Sequence, residues 1–296
     1  MIHLPQWLLN APIAERRAML VLDPGAGRRE SLGSAIRGAT GHRTLEALCE
    51  RSHRTCRGCD LQAQCPHAML YAPAGDGDPS APWWLRLVDA GPRIEVAFRT
   101  IGDHADELAD VLVRAFGEQV VGGKLEGAAT LSYGDGPWTP ARPLSSWLAP
   151  MVEGARDLLV VLESPLELKV NKEILRTAPS LRTILAAIAR RADTLVQQWC
   201  PPLFATDRAL GRELLELADH IRCEPLAVGV HAVGRFSNQQ EREMEFPGLV
   251  GALRFEGVPP ELAAWLRVGE VLGVGRHTAF GFGAISVWDG SAEGGR

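Results

Sequence analysis

At 296 residues, with 46% hydrophobic and 23% charged side chains, the chain has the composition of a globular protein long enough for two ordinary domains. A formal net charge of −5 excludes a globally basic nucleic-acid binder, although the arginines between Arg28 and Arg57 leave room for a local basic surface. No apolar run approaches the roughly 20 residues of a membrane span and the N-terminal stretch lacks a signal-peptide pattern, so a cytoplasmic protein without membrane contact is expected.

In chain order, residues 17–22 read as a strand. The turn-rich DPGAG follows, and then a helix over 32–48. Residues 84–88 and 94–100 form a hairpin pattern around Ala90 and Gly91. Over 104–116, Leu108, Val111, Leu112 and Ala115 recur at helical spacing, and 128–133 reads as a strand. The Pro-rich GDGPWTPARP at 134–143 reads as a linker. The pattern then recurs: a strand over 157–170 broken at Pro165, an amphipathic helix over 180–199, and a second helix over 209–221. Strands follow at 226–236 and 249–255, then a short helix at 260–266 and a last strand at 279–287. This α+β order predicts two tandem ferredoxin-like (RRM-like) domains, 1–143 and 144–296, with a cysteine-rich insertion at about 49–73 in the first.

Four of the six cysteines fall in that insertion: Cys49, Cys56, Cys59 and Cys65, with Cys-x-x-Cys at its centre and Arg54 and Arg57 beside it. Such crowding suits a reducing compartment and a closed, structural tetrahedral zinc site. An iron–sulfur cluster is the rival and small buried residues the plain alternative. Cys200 and Cys223 stand alone and read as core.

A second cluster, GSAIRGATGHRTLEALC, holds Arg37, His42 and Arg43. A histidine titrates near neutral pH and nearby arginines hold phosphate, but an isolated histidine is also a common surface residue, and His53, His67 and His277 compete for the role. Nothing supplies a nucleophile elbow or a two-metal carboxylate cluster. A third stretch, Arg235-Phe236-Ser237-Asn238-Gln239-Gln240-Glu241-Arg242, offers guanidinium, hydroxyl and amide donors at a strand end, as an RNA contact or a polar hairpin loop would.

The most distinctive stretch is RVGEVLGVGRHTAFGFGAISVW at 267–288, where Gly269, Gly273, Gly275, Gly281 and Gly283 surround Arg276, His277 and Thr278. Glycines allow positive φ and close backbone approach, so the run reads either as a phosphate cradle of N–H groups or as a tight structural connection. A strand follows where the dinucleotide fingerprint needs a helix, and no Gly-Lys-Ser/Thr occurs where a P-loop needs it.

Together these residues carry a family resemblance. SPLELK, RFSNQQ with GLVG, and GVGRHTAFGFGAI in the second half resemble the RAMP-superfamily CRISPR-associated endoribonucleases that cut precursor CRISPR RNA within its repeats. GSAIRGATGHRTLEALC followed by CRGCDLQAQCPHAMLY resembles a branch with a cysteine-rich insertion. The resemblance implies tandem ferredoxin-like domains and metal-independent scission by the RNA's own 2′-hydroxyl, with no catalytic cofactor. His42 would be the acid–base group, and Arg37 and Arg43 the phosphate-stabilising cations. It further implies RNA contacts at Lys169, Arg235, Ser237, Asn238, Gln239, Arg242, Gly273, Gly275, Arg276, His277, Thr278, Gly281 and Gly283. The implied partners are repeat RNA, mature CRISPR RNA and other effector-complex subunits. A non-catalytic RAMP subunit that binds guide RNA is the alternative, and an unrelated zinc-stabilised RNA-binding module a third reading.

Overall fold

The computed structural model describes residues 4–22, 32–51, 55–74, 80–90, 93–121, 128–133, 139–150, 154–203, 208–237 and 242–290. A short helix α1 (Gln6–Leu9) leads into β1 (Pro12–Leu22), α2 (Leu32–Leu48), α3 (Pro66–Tyr71), β2 (Trp83–Ala90), β3 (Arg93–Ile101), α4 (Ala105–Val121) and β4 (Ala128–Tyr133). These strands form an antiparallel sheet in the order β2-β3-β1-β4. The supposed linker ends in a short strand β5 (Arg142–Pro143), which pairs Arg142 with Ile13 of β1 and so extends the first sheet.

The second half begins with β6 (Arg156–Leu166), which runs through Pro165 where a break was expected, and continues into the small hairpin β7 (Lys169–Val170) and β8 (Glu173–Ile174). Then come α5 (Leu181–Trp199), α6 (Arg208–Ala218), β9 (Cys223–Ser237), β10 (Arg242–Val258), α7 (Pro260–Leu272) and β11 (Ile285–Asp289). The sheet order is β11-β6-β10-β9. Both sheets thus have the ferredoxin-like arrangement in which the first and third strands are central, and the fold is the expected tandem. No helix among the described residues is long and apolar enough to cross a membrane.

The local chemistry explains the elements that bear on function. The Ser180 side chain accepts from the Thr183 backbone N–H at 3.3 Å and caps α5. Leu181, Ile184, Leu185, Ile188, Ala192, Leu195 and Val196 are buried along one stripe of that helix. Helix α7 starts on Pro260 at its first turn and runs to Leu272, six residues beyond the expected end at 266. Gly269 therefore lies inside a helix, where its bare backbone lets α7 approach α5: a Cβ there would stand 2.6 Å from Ile188 Cδ1.

The two halves share a core in which Leu8, Ile13, Trp84 and Ile101 pack among residues of α5, α7 and the second sheet. They are also joined at the C-terminal end of α7, whose carbonyls lack partners within the helix. Trp84 Nε1 donates to Val271 O at 2.9 Å, and Arg99 Nη1 donates to Val271 O at 3.0 Å and to Glu270 O at 3.1 Å. Arg191 Nε of α5 donates to Leu272 O at 2.7 Å. Arg99 is buried against the equally buried Glu15, with Nε to Oε2 at 2.5 Å. Two guanidinium groups at a helix C-terminus also suit the negative end of the helix dipole.

Arg99→Ala leaves Glu15 buried without its main partner and uncaps α7, so urea unfolding at neutral pH should report a loss of roughly 3–5 kcal/mol. Arg17→Ala, at a side chain 52% exposed that also contacts Glu15, should cost less than about 1 kcal/mol by the same measurement. Equal losses would mean that the joint at α7 carries no special weight.

Candidate nucleic-acid interface

The glycine-rich stretch leaves α7 at Gly273 and folds back on itself. Val274 N donates to Gly283 O at 2.8 Å, Gly283 N to Pro165 O at 3.0 Å, and Arg276 N to Glu167 O at 3.0 Å. Within a 3-10 turn (Thr278–Phe280), Phe280 N and Phe282 N both donate to His277 O. Many of the loop's N–H groups are therefore spent inside the protein, and the glycines chiefly permit close packing. Gly275 shows the reason: its φ is +77°, and an added Cβ would lie 2.3 Å from Glu167 O. Gly273, Gly281 and Gly283 also hold positive φ, as does His277 at +61°. Thr278 is buried.

Glu167 organises this loop. Its side chain is 2% exposed, and Oε1 accepts from Arg276 Nη1 at 2.9 Å and faces His277 Nε2 at 3.4 Å. Burial alone would raise its pKa. The hydrogen bond from His277 and the charges of His277 and Arg276 outweigh that and hold the carboxyl below its ordinary value. Arg276 stays 42% exposed and so keeps donors for another anion. His277 is enclosed by aromatic rings, its centroid 4.4 Å from that of Phe246, 5.8 Å from Phe280 and 6.1 Å from Phe282.

The loop sits directly against α2. The Arg37 guanidinium lies over the Phe280 ring at 4.5 Å and the Tyr71 ring at 5.3 Å. Gly33 meets the loop backbone so closely that a Cβ there would lie 2.1 Å from Phe280 O. Arg37 and the glycine loop, widely separated in sequence, are thus neighbours. His42 lies further along α2, 58% exposed, with Nε2 3.1 Å from Glu46 Oε1. Five residues at about 100° each place it on a different helical face from Arg37. Arg43 is ion-paired to Glu118 of α4 and lies 4.0 Å from Glu46. Of the competing histidines, His67 is buried with Nδ1 2.8 Å from Thr44 Oγ1, and burial lowers its pKa to about 4. His53 lies outside the described residues.

Cys49 follows the last turn of α2 and Cys65 caps α3. Cys56 and Cys59 bracket a tight turn, closed by Cys59 N to Cys56 O at 3.0 Å, with Gly58 at φ +77°. Burial first, then the charges of Cys65, Cys49 and Cys59, raises the Cys56 pKa. Cys56 thus lies within electrostatic reach of the other three thiols. Among the described residues, however, no three metal-ligating side chains are gathered around one point. Cys200 is buried, its pKa raised to about 12 by burial and then by Asp103.

Arg235 and Ser237 end β9 and Arg242 begins β10, with Arg242 opposite Ser237, while Asn238 and Gln239 lie outside the described residues. Lys169 is exposed in β7 and lines the same groove as Gly275 and Arg276. Sequence reading had overlooked Glu167 and Phe246. For Glu167 a signal existed: an acid between Leu166 and Leu168, within an otherwise apolar strand end, is an acid that folding buries.

Residues 160–285 match the family model described as CRISPR-associated endoribonuclease Cas6, and residues 13–123 match a model described as an N-terminal domain. No curated protein matches. Among solved structures, a Cas6 of Thermus thermophilus superposes with a TM-score of 0.57 at 15% identity, covering 94% of this chain and 99% of that one. A second Cas6, solved as its product complex, gives 0.52 at 16% identity over 94% of this chain and 100% of the other. A partial Cas6-RT-Cas1–Cas2 complex gives 0.56 at 12% identity, with this whole chain covering 48% of that one. At these identities the structures establish the fold.

A group whose folded pKa is depressed stabilises above its unfolded pKa, and that contribution is lost as pH falls through the folded value. Glu167→Gln should therefore be less stable than wild type at pH 7, by about 1–3 kcal/mol in urea unfolding. The gap should close as pH falls below the carboxyl's ordinary 4.5. A gap constant down to pH 3 would mean that the carboxylate's charge does not hold the loop.

Proposed function

We propose, from the match of residues 160–285 to the Cas6 family model and the shared fold, that this chain is an endoribonuclease that cuts precursor CRISPR RNA within its repeats. The observation that carries the reading is the contact between the glycine-rich loop and α2 through Arg37 and Phe280. It sets Arg37 of α2 against the loop that carries the half-exposed cation Arg276, with His42 further along the same helix. Repeat RNA is the substrate. The similar Cas6 structures solved with product and with a substrate mimic, and the Cas6-RT-Cas1–Cas2 assembly, support RNA and other CRISPR proteins as partners.

The chemistry needs no metal. The 2′-oxygen forms a bond to the adjacent phosphorus, the bond from phosphorus to the 5′-oxygen breaks, and the products are a 2′,3′-cyclic phosphate and a 5′-hydroxyl. One group takes the 2′-hydroxyl proton and one returns a proton to the 5′-oxygen. His42, exposed on α2 with Glu46 beside its Nε2, is the assigned acid–base group. Arg37, stacked on the Phe280 and Tyr71 rings, is assigned to stabilise the charge developing on the phosphate oxygens. Arg43 is offset by Glu118 and Glu46, so its part is a lesser one, holding α2 on α4. Arg276 and Lys169 contact the RNA backbone, and Arg235, Ser237, Asn238, Gln239 and Arg242 are assigned further RNA contacts. Gly273, Gly275, Gly281 and Gly283 shape the loop that presents Arg276, while His277 and Thr278 stabilise it from within.

Cys49, Cys56, Cys59 and Cys65 would hold a structural zinc. A zinc held there would neutralise the thiolates and pin the excursion between α2 and α3, a structural role separate from scission.

With repeat RNA and excess chelator, single-turnover cleavage by the wild type should persist, and His42→Ala should slow it by roughly 10²- to 10⁴-fold while affinity stays within a few-fold. His42→Ala at the wild-type rate would pass the role to His277. Wild-type binding without any cleavage would leave the non-catalytic RAMP subunit instead. Elemental analysis should find one zinc per chain, and Cys59→Ser should lower the thermal midpoint with little effect on the cleavage rate. Metal-free wild type with an unchanged midpoint would dismiss the zinc.

A further inference from the structure

Between the β7–β8 hairpin, helix α5 and the start of the glycine-rich loop lies a groove of about 640 Å³. Six cations line it: Lys169, Lys172, Arg182, Arg190, Arg191 and Arg276. Glu167 offsets Arg276, and Asp219 pairs with Arg182. Lys169, Lys172 and Arg190 are exposed and have no ion pair among the described residues, so the groove carries a clear positive excess. The hairpin turn aims its lysine at a conformational cost: Asn171 and Lys172 hold φ of +51° and +70°, a turn in which lysine is a poor fit.

The floor supplies the independent observation. Arg191 as a residue is partly exposed, but its guanidinium end is closed off. Nε is committed to Leu272 O, the group lies 5.5 Å from the centroid of the Trp84 ring, and Nη2 is sealed from solvent without a hydrogen-bond partner. Burial lowers its pKa to about 10, and no carboxylate faces it in an ion pair among the described residues. Because Nη2 is sealed off, Arg191 adds its charge to the floor of the groove rather than a hydrogen bond to what enters it. A cleft of this size falls within the range of small-ligand sites, about 300–1,000 Å³, enough for a nucleotide or two of single strand and too small for a duplex.

We propose that this groove is a phosphate-binding subsite for a short single-stranded RNA segment that flanks the scissile position, with Arg191 at its floor and Lys169, Lys172 and Arg190 along its rim. The proposal rests on reading the protein as an RNA-processing enzyme. It adds residues of α5 and of the β7–β8 turn that neither the glycine loop nor α2 contains. The strand would run from Arg276, shared by both sites, along the exposed side of α5. Its hold would be electrostatic and largely indifferent to base identity, because no side-chain amide other than Asn171 lines the groove.

The test uses a 5′-labelled oligouridylate of eight nucleotides, which has no hairpin and no repeat sequence, followed by anisotropy across a salt series. Wild type should bind it. The triple variant Lys169→Ala/Lys172→Ala/Arg190→Ala changes only exposed rim residues and is checked for an unchanged thermal midpoint. It should bind about ten- to a hundred-fold more weakly, with a log–log salt slope shallower by about 2, as expected for three lost single-strand contacts at about 0.7 each. Equal affinity and slope in the two proteins would overturn the proposal. So would unchanged oligouridylate binding with loss of affinity for polyglutamate, which would assign the groove to an acidic protein segment. Repeat cleavage is scored separately. A wild type that binds oligouridylate through the rim but never cuts repeat RNA would overturn the enzymatic reading and leave the subsite standing.

Discussion

The structure depends on how one helix end is satisfied. Glu270, Val271 and Leu272 close α7 with carbonyls that cannot bond within the helix, and their donors come from elsewhere in the fold: Trp84 and Arg99 in the first sheet, and Arg191 on α5. Glycine-rich backbone begins at the next residue. The point where the functional loop starts is therefore also the point where the two halves of the chain are tied together, by charge-assisted bonds in a buried place where each is costly to lose. From there Glu167 takes over, accepting from Arg276 by backbone and side chain alike and facing His277. Neither half alone could set the loop against α2.

That architecture changes what the glycines are for. A run of them invites the thought of N–H groups waiting for phosphate, yet Val274, Arg276, Phe280, Phe282 and Gly283 all spend their N–H on the protein itself. What is left to meet an RNA is side-chain charge on a rigid turn: Arg276 at its edge, Arg37 stacked on Phe280 behind it, and the exposed cations of the adjoining groove. Rigid placement of a few cations lowers the ordering cost of binding, which a flexible cradle would not.

Much of this was legible in the residues. The α2 and β4 boundaries and the tandem strand order match what the sequence pattern predicts. The misses have physical causes. Pro165 was taken to break β6, yet the strand passes through it, since a missing N–H is tolerable where no ladder bond needs it. Gly269 seemed to belong to the loop but serves helix packing against Ile188. Helix α3, only six residues long, was hidden in the cysteine insertion. For the site, Arg276 and Arg37 were visible as residue types. Glu167, the partner of Arg276, and Phe246, which packs on His277, were not, because a buried acid and a stacking ring declare themselves only once distant strands are brought together.

The central claim is that the RNA's own 2′-hydroxyl is the nucleophile at a site made by α2 and the glycine loop. The most direct measurement is the cleavage of a repeat RNA carrying a single 2′-deoxy nucleotide immediately 5′ of the scissile phosphate, in chelator, with the product ends read by mass spectrometry. The account predicts that the deoxy substrate is bound with nearly the same affinity and not cut, while the all-ribose control yields a 2′,3′-cyclic phosphate and a 5′-hydroxyl. Cleavage of the deoxy substrate at the control rate, or products bearing a 5′-phosphate, would contradict it.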